Sequence, residues 1–192
     1  TISFLFYELA RHPREQDLLL DEQDRLLDGR VPGAGDLAGA LPRLEMVLDE
    51  TLRLYPPAWI GPRRATDPFE LLGRHVPRDA AVNYSSWASH RLPDVWSDPE
   101  AFVPERFEAE AKAALAKGAY VPFGGGSRTC VGMRFGQMEI RAIVTRILAR
   151  FRLELQPGFQ LDVRQSPTLS PRHGMPMRVR AHGVATASTL VD

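Results

Sequence analysis

Sulfur is scarce in this sequence: Cys130 is the only cysteine in 192 residues. A lone cysteine excludes an internal disulfide and any cysteine-rich zinc cluster, and an unpaired thiol suits a reducing compartment. Long apolar runs are missing too, so nothing here spans a bilayer as a helix. These readings predict a cytoplasmic setting, although a membrane anchor preceding Thr1 would escape them. Neither sign of charge is in excess, with 24 Lys plus Arg against 24 Asp plus Glu. That balance argues against a nucleic-acid partner and against general attraction to a membrane surface. What remains is a chain long enough for one domain with a sizeable core, and its 16 prolines predict many irregular connections.

The stretch around the one sulfur is the most informative. Phe123 to Gly136 reads FGGGSRTCVGMRFG, with glycines crowded before Cys130 and a helical pattern after it. A cysteine at a helix N-terminus feels the positive end of the macrodipole, which favours thiolate. Four roles compete. A buried free cysteine is the commonest, but gives no reason for Gly124, Gly125, Gly126 and Gly132 to gather there. A catalytic nucleophile needs a positioned histidine, and His12, His75, His90, His173 and His182 fall in no recognisable signature. A phosphate loop would continue as Gly-Lys-Ser/Thr, which is absent. The fourth role, one axial thiolate on a haem iron, needs a single sulfur and backbone that can lie close to a flat ring.

The spacing favours the fourth. Phe123, Gly126, Arg128, Cys130 and Gly132 stand in a pattern that closely resembles the haem-binding signature of the cytochrome P450 family. The resemblance implies that Cys130 is the axial ligand to the iron of haem b. It implies that Gly124, Gly126 and Gly132 let the backbone pass near the macrocycle, that Phe123 shields the sulfur from water, and that Arg128 reaches a propionate. Backbone N–H groups after Cys130 would point at the sulfur.

Taken in order, residues 1–11 read as the end of a helix stopped by His12-Pro13. Residues 14–28 read as a second helix with a solvated acidic face, and residues 36–40 as a short third one. Leu41 to Tyr55 is a helix with a Leu41, Leu44, Leu48, Thr51 stripe. Its Glu50 and Arg53 share a face, which alone would be an exposed pair worth a few tenths of a kcal/mol. Glu-x-x-Arg followed by Tyr55-Pro56-Pro57 resembles the same family, and there Arg106, within Pro104-Glu105-Arg106-Phe107, would join both in a buried structural cluster.

Residues 58–73 read as extended. By the resemblance Ala58, Trp59 and Ile60 line the substrate pocket, and Arg63 or Arg64 contacts a propionate. A hairpin is expected around Gly73, a strand over residues 80–84 and a short helix over 85–90. His90 is either a structural histidine or a second propionate contact. Residues 91–107 resemble the family's meander, with Trp87 and Trp96 assigned to the core. An exposed helix is expected over 108–117 and a long one over 132–150. Arg134, Arg141 and Arg146 on the latter form either a solvated face or a dock for an acidic electron donor. Strands follow at 151–155 and 177–180. Between them Thr168-Leu169-Ser170-Pro171 resembles a turn that brings Leu169 into the distal pocket. The Ala/Ser/Thr-rich tail after His182 reads as frayed.

Together these imply a mainly α fold with a small β region (α+β), the C-terminal portion of a cytochrome P450 domain. Residues 1–57 would be helical, 58–122 strands and meander, 123–150 the haem loop and proximal helix, and 151–192 terminal strands and tail. The implied activity is a monooxygenase that uses O2, an apolar small molecule, and electrons from a ferredoxin or flavoprotein reductase. The family's acid–alcohol pair for oxygen activation would precede Thr1, which predicts that this stretch does not turn over alone. The alternative is a non-enzymatic remnant or a haem-binding-only protein.

Overall fold

The computed structural model describes residues 1–182, so the expected frayed tail falls on residues outside those described. Helix α1 (Ile2–Arg11) leads directly into α2 (Pro13–Leu27), with His12 between them. Pro13 can open α2 because its missing N–H would have been unpaired in the first turn anyway. Asp28 ends α2 in the left-handed region at φ 48°. Helix α3 (Ala34–Leu37) starts earlier than the expected residues 36–40. The reason is Asp36, whose carboxylate accepts the Gly33 N–H at 2.8 Å and so fixes the helix start at Gly33.

Helix α4 (Pro42–Leu54) is followed by β1 (Gly61–Arg64), β2 (Phe69–Leu71), β3 (Arg74–Val76), β4 (Ala81–Tyr84) and α5 (Ser86–Ser89). A 3-10 turn at Pro104–Phe107, then α6 (Ala109–Ala114) and α7 (Met133–Leu148), carry the chain to β5 (Phe151–Leu155), β6 (Val163–Arg164), β7 (Ser170–Pro171) and β8 (Met177–Ala181). The strands pair antiparallel as β1 with β4, β2 with β3, β5 with β8 and β6 with β7. The architecture is therefore helical with four small ribbons, as the pattern predicted. No helix among the described residues is long and apolar enough to cross a membrane.

The core forms where α1, α4, α7 and β5 meet, through Leu5, Leu9, Leu44, Leu48, Val144 and Leu153. Each fully buried leucine contributes about 1.5–3 kcal/mol. Helix α4 is buried on both sides: leucines cover one face, and Asp49, Glu50 and Arg53 are buried on the other.

Three surface expectations are corrected. The acidic face of α2 is not all solvated. Glu22 is buried, and its carboxylate accepts the Arg43 N–H at 2.6 Å and the Leu44 N–H at 3.1 Å, capping α4 in place of a local side chain. Desolvation raises its pKa, opposed by those same N–H groups. Arg141 is also buried, held by the Leu37 carbonyl at 3.1 Å and the Glu45 carboxylate at 2.6 Å, whereas Arg134 and Arg146 remain exposed. Trp96 belongs to the core, but Trp87 is 43% exposed, with the Arg91 guanidinium 4.2 Å from its ring centroid.

Candidate haem site

Local backbone chemistry shapes the cysteine loop. Gly124 and Gly126 take φ +73° and +66°, where a side chain would be strained. The Cys130 N–H donates back to the Phe123 carbonyl at 2.9 Å and closes the loop. Inside it, the Thr129 hydroxyl donates to the Gly126 carbonyl at 2.9 Å. Beyond it, the Met133 N–H donates to the Cys130 carbonyl and the Gly136 N–H to the Gly132 carbonyl. The Met133 amide is thus spent on helix initiation and is not available to the sulfur. Cys130 is exposed, which excludes the buried-cysteine role. A Cβ at Gly132 would sit 4.0 Å from Sγ, an ordinary van der Waals contact, so space at the sulfur does not demand glycine there.

The sulfur opens onto a cavity of about 400 Å³. Pro57, Ala58, Ile60 and Phe123 give it an apolar wall, and its two charged lining residues, Arg63 and Arg128, are both cationic. An apolar slot with one thiol and two guanidiniums matches a flat hydrophobic ring that carries carboxylates and an axial metal position. Haem therefore fits the donor set. Among the described residues no three His, Cys, Asp or Glu side chains gather to cage a metal ion.

The structure brings most of the expected residues together there: Cys130, Arg128, Phe123, Gly124, Arg63, Ala58 and Ile60. Three depart. The Trp59 indole N–H donates to the Gln165 carbonyl at 2.6 Å, which ties the segment to the C-terminal strands and keeps Trp59 out of the lining. Leu169 is 6% exposed, and its N–H donates to the Pro57 carbonyl at 3.2 Å, so it braces the wall from behind. His90 is fully buried with both ring nitrogens engaged. Nδ1 lies 3.1 Å from the Arg53 carbonyl, and Nε2 accepts the Val121 N–H at 2.8 Å. No ring nitrogen is left for a propionate, and the histidine is structural. Burial, chiefly, lowers its pKa to about 4.

Sequence reasoning missed Tyr84 and Gly61. Both line the cavity, and they face each other across β1 and β4. The available signal was a glycine within an extended run, which marks a close approach.

The polar cluster contributes no residue to the cavity lining. Glu50 and Arg53 are both 0% exposed. Arg53 donates to Glu50 through Nε at 2.7 Å and Nη2 at 2.8 Å. Its other N–H groups reach the carbonyls of His90, Pro99 and Ala101 at 2.9, 2.7 and 3.0 Å. All five donors are thereby used. The Val103 N–H also donates to Glu50, at 2.8 Å. Arg106 joins as expected but more loosely, its Nε 3.5 Å from Glu50 Oε1 without a hydrogen bond.

The family model for cytochrome P450 matches residues 1–175. Thromboxane-A synthase of Rattus norvegicus is 38% identical over 182 residues, covering 93% of this chain and 34% of the relative. Cytochrome P450 3A11 of Mus musculus is 41% identical over 166 residues, covering 86% and 33%. A putative cytochrome P450 136 of Mycobacterium tuberculosis is 38% identical over 182 residues, covering 94% and 37%. The chain spans about a third of the length of these relatives.

Proposed function

Because the chain belongs to the cytochrome P450 family, whose cofactor is haem b, we propose that it is the iron-ligating portion of a haem-thiolate monooxygenase. The proposed reaction inserts one oxygen atom of O2 into an apolar organic molecule and reduces the other to water. Electrons would come from a ferredoxin or flavoprotein reductase. The observation that carries this reading is the exposed Cys130 sulfur, opening onto the apolar cavity that also holds Arg63 and Arg128.

Haem, when bound, would supply the redox iron at which dioxygen is activated, its thiolate ligand favouring O–O cleavage. Cys130 supplies that ligand. Arg63 and Arg128 each offer a fork of N–H donors to a propionate. Phe123 supplies apolar wall on the cavity side of the sulfur, while Gly124 and Gly126 bring backbone close without a Cβ. Ala58 and Ile60 present apolar surface to the substrate. Glu50, Arg53 and Arg106 fix α4 to the meander and leave the chemistry alone.

Residues 1–192 alone would hold the iron without sustained turnover. In their isolated form Cys130 is exposed, Val131 is 104% exposed and Phe135 67%, so the sulfur side stays open to water. The test is reconstitution with haem, followed by the carbon-monoxide difference spectrum of the reduced protein. A thiolate-type band that Cys130→Ala abolishes is expected, without steady product formation. Sustained oxidation by these residues alone would overturn that expectation. A thiolate-type band surviving in Cys130→Ala would overturn the ligand assignment. A chain that takes up no haem would point to a non-enzymatic remnant.

A further inference from the structure

Tyr84 occupies space that two glycines leave for it. In the β1–β4 pairing Gly61 faces Tyr84, and a Cβ at Gly61 would stand 2.1 Å from two atoms of its ring. A Cβ at Gly124, on the cysteine loop, would stand 2.9 Å from the Tyr84 hydroxyl. Glycines on two separate segments therefore make room for one phenol. The Arg63 guanidinium carbon lies 5.2 Å from the centre of that ring, and one of its terminal nitrogens lies 4.0 Å from the Gly124 Cβ position. Hydroxyl, guanidinium and loop backbone thus converge on one stretch of the cavity wall. The hydroxyls of Tyr55 and Tyr120 are taken by Glu8 and Asp49. That of Tyr84 meets no acceptor among the described residues.

Resting on the haem reading above, we propose that Tyr84 donates its phenolic O–H to the propionate carboxylate held by Arg63, and that its ring fixes the Arg63 fork for that grip. An exposed arginine must give up side-chain freedom to hold an anion, and a platform beneath the guanidinium reduces that loss. The phenol is also a neutral donor. It adds a charge-assisted hydrogen bond without placing a third cation beside Arg63 and Arg128.

Tyr84→Phe tests this in the haem-loaded protein. It keeps the ring on Gly61 and beside Arg63 and removes only the hydroxyl. Two readouts matter: the rate of haem transfer to excess apomyoglobin, and the iron midpoint potential as a function of pH. Haem should leave about tenfold faster, equivalent to ~1.4 kcal/mol. The propionate titration seen in the potential should move to higher pH, because the carboxylate loses a donor that favours its charged form. Tyr84→Leu should lose haem faster still, as Arg63 loses its platform. Wild-type behaviour of Tyr84→Phe, with Arg63→Gln and Arg128→Gln both releasing haem faster, would overturn the Tyr84 assignment alone. If Cys130→Ala and both arginine variants also bound haem like wild type, the haem reading beneath it would be overturned instead.

Discussion

Acid should loosen the cysteine loop through His90, a residue outside the cavity. The ring is fully buried between two backbone groups. Its Nε2 accepts the Val121 N–H, so the neutral ring carries its proton on Nδ1 and donates it to the Arg53 carbonyl. A second proton would turn Nε2 from acceptor into donor, aimed at another donor. Burial is the main reason the pKa falls from 6.5 to about 4, helped by the charges of Arg53 and Arg91 and opposed by the Arg53 carbonyl. The Tyr120 ring also faces the imidazole, with centroids 5.2 Å apart. The folded value lies below the unfolded one, so as pH falls the unfolded chain takes up the proton first. His90 therefore contributes its full stability above pH 6.5, loses it progressively between 6.5 and about 4, and contributes none below. A gap of that size corresponds to roughly 3 kcal/mol. Urea unfolding at steps from pH 7 to pH 4 measures it, with His90→Gln as a reference that does not titrate. Carboxylates titrate in both proteins, so the difference between the two curves isolates the histidine. Wild type should lose roughly 3 kcal/mol more than His90→Gln over that range. Parallel curves would refute the reasoning.

Arg53→Met should destabilise by about 3–5 kcal/mol, because it leaves the Glu50 carboxylate buried and three backbone carbonyls without donors; a loss under ~1 kcal/mol in urea unfolding would mean that the cluster is not the lock described. Gly61→Ala places a methyl inside the Tyr84 ring and should cost about 1–3 kcal/mol in thermal unfolding. Adding Tyr84→Ala should recover most of that loss, and no recovery would show that the strain lies elsewhere. Glu22→Ala should cost ~1 kcal/mol, as other helix caps do. Amide exchange at Arg43 and Leu44 should speed up, and unchanged exchange there would exclude the capping role.

Legibility followed sequence distance. The cysteine loop could be read because its requirements are local: glycines at two left-handed positions, and a sulfur just before a helix. Helix α4 could be read from its leucine stripe and Pro42. The partners of charged side chains could not. Glu22 looks like surface until a second helix starts beneath it, and Arg141 looks like one of three exposed arginines until Glu45 and Leu37 are placed beside it. Trp59 and Leu169 were assigned to the cavity because they belong to the right segments, but alternation along an extended chain decides which side each faces. Tyr84 was invisible for the opposite reason. Its neighbours Gly61 and Gly124 lie on different segments, and only the fold brings them to one ring.

The frame and the cavity are joined by a short covalent and hydrogen-bonded path. Arg53 lies in the buried cluster, and its carbonyl holds the His90 ring. That ring holds Val121, and two residues later Phe123 closes the cysteine loop through its carbonyl. A thiolate that must keep one position on a metal needs such backing, because its loop has no regular structure of its own beyond a single 3-10 turn. The cavity wall formed by β1 and β4 is anchored differently, by a phenol seated on glycine. Damage to the cluster should therefore displace the sulfur, whereas damage at Gly61 or Tyr84 should loosen the carboxylate grip and leave the sulfur in place. The carbon-monoxide spectrum reports the first and the haem-loss rate of a spectrally intact protein the second. A Tyr84 variant that lost the thiolate signature would show that the two anchors are one.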